Sequence, residues 1–210
     1  MKIRELFEAQ DRHVTFCFGR FNPPTLGHKK VFDAMADQGG EMKIFTSVSQ
    51  DGKKNPLDYD TKIDFIRKIH PNYADQIEDN KNLNTIDKVC EYLNDQGYNH
   101  ITFVAGSDRL DSMRNLIKDY NGKTEGKRGP VAHPFKFETM EFVSSGERED
   151  GAEGVEGISG TQAREDAANN DLKSFVKHTG AGEHADELFL AVRKGMGLQD
   201  EKTDAEDDQE

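Results

Sequence analysis

Tryptophan is missing altogether, cysteine occurs only twice, and no apolar run approaches the ~18 residues that a bilayer span needs. Each absence closes a class of function. Cys17 sits inside the apolar run VTFCF and Cys90 inside a helical pattern, so both read as reduced core thiols rather than a disulfide framework. The first ten residues, MKIRELFEAQ, contain no apolar core of a secretion signal. A soluble protein of a reducing compartment is expected, with no membrane partner. Basic charge is also scarce: 28 Lys and Arg stand against 40 Asp and Glu, for a formal net charge of −12. That balance disfavours nucleic acid as a partner. The histidines His13, His70, His100, His133, His178 and His184 lack metal-ligand spacing and read as ordinary surface or core residues.

The 210 residues suffice for one domain, expected over 13–197, with a leader at 1–12 and an acidic tail at 198–210. The last eleven residues, DEKTDAEDDQE, hold seven acids and one lysine, −7 + 1 = −6, half the net charge. Such a run has nothing to bury and repels itself, so it is expected to be disordered.

Strand and helix patterns alternate along the domain. VTFCFG (14–19), MKIFTSV (42–48), ITFVAG (101–106) and KFETMEFV (136–143) read as strands. Helices are expected at 27–38, 61–69, 85–97 and roughly 108–118, with a closing helical section beyond residue 160. Continuous apolar strands separated by helices predict an α/β, Rossmann-like three-layer sandwich with a central parallel sheet. Ligands of such sheets sit beyond the carboxyl ends of the strands. Two strands stop at a glycine, Gly19 and Gly106, and both glycines should therefore lie along one edge.

The sequence around Gly19 is FGRFNPPTLGH, Phe18 to His28. Glycine permits close backbone approach, and Pro23 and Pro24 stiffen the exit from the strand. Thr25 precedes a helix opened by Gly27 and His28, so free N–H groups and the helix dipole favour an anion there. Thr25 and His28 are three residues apart and can face one phosphate on the first turn. The plain alternative is a proline-rich turn with a capping threonine. A second element, GISGTQAR (157–164), places Ser159 and Thr161 at another helix start with Arg164 one turn inside. Hydroxyls, amides and a guanidinium converging there would also bind phosphate.

Taken together, GRFNPPTLGH near the N-terminus and ISGTQAR some 130 residues later resemble the paired motifs of the nucleotidyltransferase superfamily, with its adenylyl- and cytidylyltransferases. KKNPLDYDTKIDFI resembles the family's lysine–proline segment and FVAGSDRL its GxD segment. The ensemble is most similar to nucleotidyltransferases encoded by tailed bacteriophages. The resemblance implies transfer of a nucleoside monophosphate, AMP from ATP first among them, to a phosphorylated small-molecule acceptor with release of pyrophosphate. Nicotinamide mononucleotide is the leading acceptor, and cytidylyl transfer to a phosphorylated alcohol or sugar is the alternative. Carried over by position, His28 and Thr25 would meet the α-phosphate and Lys53 or Lys54 the reacting phosphate. Ser159, Thr161 and Arg164 would hold the outer phosphates, with Phe18, Gly19, Arg20 and Gly27 lining them. Gly106 and Asp108 would meet the nucleoside, and Mg2+ would arrive with the triphosphate. Three positions depart from the commoner pattern: Thr25 for histidine, Asn22 for aspartate and Gly160 for serine. With no tryptophan, an aromatic stack on the acceptor falls to phenylalanine or tyrosine.

A different class of function stays open at this level: a non-catalytic nucleotide-binding protein associated with a virion. MKIRELFEA resembles the leader that some phage proteins use for packaging. Cytoplasmic placement, in the host cell for a phage-encoded chain, goes with the enzyme and the virion with the alternative. Self-association is left open. Ser144, Glu147 and Arg148 are read as a solvated hinge or as contacts to the acceptor.

Overall fold

The computed structural model describes residues 11–126, 129–146 and 158–198. The chain runs through β1 (His13–Gly19), α1 (Leu26–Ala36), β2 (Glu41–Thr46) and α2 (Tyr59–Ile69), then a 3-10 turn over Pro71–Gln76. It continues with α3 (Ile86–Asp95), β3 (His100–Ala105), α4 (Ser107–Tyr120), and the two-residue strands β4 (Glu125–Gly126) and β5 (Gly129–Pro130). β6 (Thr139–Ser144), α5 (Gly160–Ala168), α6 (Leu172–Thr179) and α7 (Ala185–Gly195) complete it. The leader residues 1–10, the loop residues Glu147 and Arg148, and the tail from residue 199 lie outside the described residues.

The main sheet has the order β2-β1-β3-β6 and is parallel throughout. Side chains alternate across it, as strand geometry requires. Phe16, Phe45 and Phe103 point to one face, where α3 and α4 supply Val89, Leu93 and Ile117. Cys17, Ile44 and Val104 point to the other, against Phe32 of α1 and Ile63 and Ile66 of α2. Two covered faces make the Rossmann-like α/β sandwich. A third apolar cluster ties α5, α6 and α7 to Leu57 and Phe65, which fixes the C-terminal helices beside the β2–α2 connection.

β1 continues through α1 to β2 on one side, while β3 lies on its other side. The strand order therefore reverses at β1/β3, and the crevice between their carboxyl ends is where this fold receives ligands. Gly19 ends β1 and Gly106 follows β3, so both stand at that edge.

The last strand starts three residues later than the alternating pattern suggests. Asn121 takes both polar groups of Phe137, its Nδ2 donating to the carbonyl at 3.1 Å and its Oδ1 accepting the N–H at 2.8 Å. Asn94 does the same for Lys136, at 3.0 and 3.2 Å. Those backbone groups are thereby withdrawn from the ladder, and pairing with β3 begins at Thr139. α2 begins two residues earlier than its apolar face shows, because Asp58 caps it by accepting the Thr61 N–H at 3.0 Å.

Candidate active site

Two helix N-termini meet at the crevice. α1 opens with Thr25 as cap and His28 at the third helical position, where glutamate or glutamine usually closes a capping box. Here the imidazole does it: the Thr25 N–H donates to His28 Nδ1 at 3.0 Å, and Thr25 Oγ1 lies 3.0 Å from the same nitrogen. A nitrogen that accepts an N–H bond carries no proton, so the neutral ring holds its proton on Nε2. α5 opens with the usual box, Ser159 accepting from Gln162 N–H at 3.2 Å while Gln162 Oε1 accepts from Ser159 N–H at 3.1 Å.

The two ends touch through Gly27. A Cβ there would stand 2.5 Å from the carbonyl oxygen of Ile158, so only glycine lets α5 come this close. Gly19 is needed for a similar reason, since the Phe21 ring lies 2.6 Å from where its Cβ would be.

A cleft of about 1040 Å³, its open solvent included, spans this edge of the sheet. Phe18, Gly19, Arg20, Gly27, His28, Gly106, Asp108, Ser159, Thr161 and Arg164 all line it. The structure thus brings together ten of the thirteen residues singled out from sequence. Lys30 and Arg109 line it as well. Lys30 lies three residues from Gly27 on α1 and Arg109 three from Gly106, the cap of α4, so helical spacing from residues already chosen could have found both. With Arg20 and Arg164 they make, among the described residues that line it, four cations against one carboxylate, Asp108. That described lining is positive in an acidic chain, an arrangement that focuses an anionic ligand.

Arg164 is held by donating to the Asn22 carbonyl at 2.8 Å and to Thr161 Oγ1 at 3.1 Å. Burial, and then the neighbouring Arg20, lower its pKa. A half-buried guanidinium repelled by a second cation gains from an incoming anion. Asn22 is itself locked, because its side-chain amide pairs with both polar groups of Leu57, donating at 2.8 Å and accepting at 2.9 Å. An aspartate could accept but not donate there. The departure from the commoner motif is thus matched to this chain's own β2–α2 connection.

Three of the singled-out residues stand elsewhere. Thr25 is fully buried and sits behind His28, reaching the cleft only through that ring. Lys53 and Lys54 are exposed on a turn closed by Asp51 and Asn55. Asp51 accepts the N–H groups of Lys53 at 2.9 Å and Lys54 at 2.6 Å. The Lys54 N–H, the Asn55 side chain and the Lys53 N–H together hold its carboxyl at a pKa of about 2. Neither lysine lines the cleft.

The cytidylyltransferase-like family matches residues 16–148, more than half of the 210. The chain belongs to that family. The enzyme class, a nucleotidyltransferase, goes with membership, and the matched span carries every cleft residue named here except those on and beside α5. Among solved structures, the nicotinic acid mononucleotide adenylyltransferase of Plasmodium falciparum, complexed with NaAD, is 13% identical. The alignment covers 88% of this chain and 97% of that one at a TM-score of 0.57, a likeness of fold. A putative nicotinate-nucleotide adenylyltransferase from Vibrio parahaemolyticus is 17% identical over 85% of this chain and 99% of its own, at a TM-score of 0.48. No curated protein matches the chain significantly.

Proposed function

We propose that the cleft transfers a nucleoside monophosphate, AMP from ATP in the first instance, to a phosphorylated small molecule. One observation carries the reading: the N-termini of α1 and α5 converge on one positive cleft with His28 and Arg164 both lining it. An oxygen of the acceptor's phosphate attacks the α-phosphorus, one P–O bond forms, and the bond to pyrophosphate breaks. Charge shifts onto the non-bridging oxygens as this happens, and His28, donating through Nε2–H, is placed to stabilise it. Thr25 acts one step behind by keeping the proton on that nitrogen. Arg164, Ser159, Thr161 and the N–H groups of α5 hold the outer phosphates, with Arg20 beside them. Gly106 and Asp108 face the nucleoside.

Mg2+ would come with the triphosphate, screening its charge. The cleft offers a metal one carboxylate, Asp108, and among the described residues no three His, Cys, Asp or Glu side chains stand together as a cage. That donor set fits an ion carried on phosphate oxygens. A pyridine mononucleotide is the leading acceptor, in line with the named activity of the Plasmodium enzyme. Cytidylyl transfer is the second reading, favoured by the family that matches. The phage affinity of the motifs is part of the same proposal.

A pyrophosphate-release screen of four nucleoside triphosphates against phosphorylated acceptors tests the reading. His28→Ala should then lower turnover by about 10²–10³. Loss of the capping bond, ~1 kcal/mol, should lower the melting temperature by about 2–4 °C. His28→Gln can rebuild the cap as Gln162 does in α5, so it should recover the melting temperature and not the turnover. Full turnover in either variant, with the preferred substrates, would remove His28 from the chemistry.

A further inference from the structure

We propose that Phe21 is the positioning residue for His28, clamping the imidazole at the angle from which Nε2 meets the phosphate. The inference rests on the reading of His28 given above. Phe21 is buried and has φ 45°, in the left-handed region that bulky residues rarely adopt. Such backbone persists only where the surroundings enforce it, and it gathers at active sites. Its local effect is visible in the chain's course: Arg20 before it is exposed, Asn22 after it is buried, and the ring between them turns inward.

That ring meets His28 edge-to-face, with centroids 4.9 Å apart and planes at 85°. It cannot retreat. Phe32 stands behind it at 5.5 Å, and Phe32 is itself wedged against His70 at 5.3 Å and Tyr73 at 5.6 Å. On the remaining side the ring lies over Gly19, where no side chain larger than hydrogen fits. Thr25 and Phe21 both constrain His28. Thr25 holds Nδ1, its N–H donating and its Oγ1 standing 3.0 Å away, and so selects the tautomer. The edge-to-face contact with Phe21 sets the plane of the ring. A group that must sit within about an ångström of its working position needs both.

Phe21→Leu isolates the ring, because leucine bears the same left-handed backbone cost as phenylalanine and fills a similar space. Turnover should fall about 10- to 100-fold, with the KM for the nucleoside triphosphate within about twofold of the parent. In a His28→Ala background the same substitution should cost nothing further, since it acts through the imidazole. The His28 ring NMR signals should shift and broaden as the ring changes orientation, where the parent gives one sharp set, with the tautomer selected by Thr25 retained. Gly19→Ala gives a second route, its Cβ pushing the Phe21 ring without touching His28, and should produce the same spectral change. Additive losses in the double variant, or His28 signals unmoved by both substitutions, overturn the proposal. If the parent releases no pyrophosphate with any substrate pair, the functional reading fails, and the spectra still decide whether Phe21 positions His28.

Discussion

Gly27→Ala sets two physical rules against each other, and the sign of its effect decides between them. Gly27 is the second residue of α1, and its backbone angle is not one that requires glycine. By helix propensity alone, alanine should stabilise the chain by about 0.5–1 kcal/mol. The structure predicts the reverse. The new methyl would stand 2.5 Å from the Ile158 carbonyl oxygen, while a tolerable carbon–oxygen contact is about 3.3 Å. The N-terminus of α5 must therefore retreat by roughly 0.8 Å. Overpacking of this kind costs about 1–3 kcal/mol, so the net change should be a loss of up to about 2.5 kcal/mol. The same retreat draws Ser159, Thr161 and Arg164 away from His28, and a shift near 1 Å in a positioning group costs up to about 10²-fold in turnover. Urea unfolding and pyrophosphate release on the same variant read both numbers. A more stable, fully active Gly27→Ala protein would refute the contact between the two helix starts, and with it the geometry on which the proposed site rests.

Two further substitutions probe charge. Arg164→Lys should weaken binding of the nucleoside triphosphate by about tenfold, because an ammonium cannot reproduce the planar fork that spans Asn22, Thr161 and a phosphate. Calorimetry should find binding of the matching monophosphate nearly unchanged, and equal weakening of both would place Arg164 away from the outer phosphates. Lys62 is fully buried, donates to the Ser47 carbonyl, and is held by burial at a pKa of about 8. Between pH 8 and its ordinary value the unfolded chain binds the proton and the folded chain does not, so this group's contribution to stability rises with pH there. At 1.36 kcal/mol per unit, the unfolding free energy of the parent minus that of Lys62→Met should grow by about 2 kcal/mol from pH 7.5 to 10. The raised cysteine and tyrosine groups are common to both chains and cancel; a difference flat in pH would show that Lys62 is solvated.

The strands and the site's edge can be read from sequence because one rule serves both: an apolar run that stops at glycine is a buried strand whose end is left open. Gly19 and Gly106 follow it, and eight further cleft residues come with them. Depth is harder to read. Thr25 and His28 are equally plausible phosphate contacts at a spacing of three, but a cap residue turns its side chain back along its own helix. The three-residue spacing that suggested a shared ligand is the spacing of a capping box. Lys53 and Lys54 fail to reach the cleft for a reason just as local. The Asp51 carboxylate gathers their N–H groups into a tight turn, so the segment coils instead of extending onward from β2. Phe21 was hidden more deeply still, since nothing in the letters FNPP announces a left-handed phenylalanine. Its conformation follows from contacts with Gly19, His28 and Phe32 that exist only once the sheet and α1 have packed. Motif letters therefore mark which residues gather at the cleft, while hydrogen bonds between neighbours in sequence decide which of them face the ligand and which stand behind.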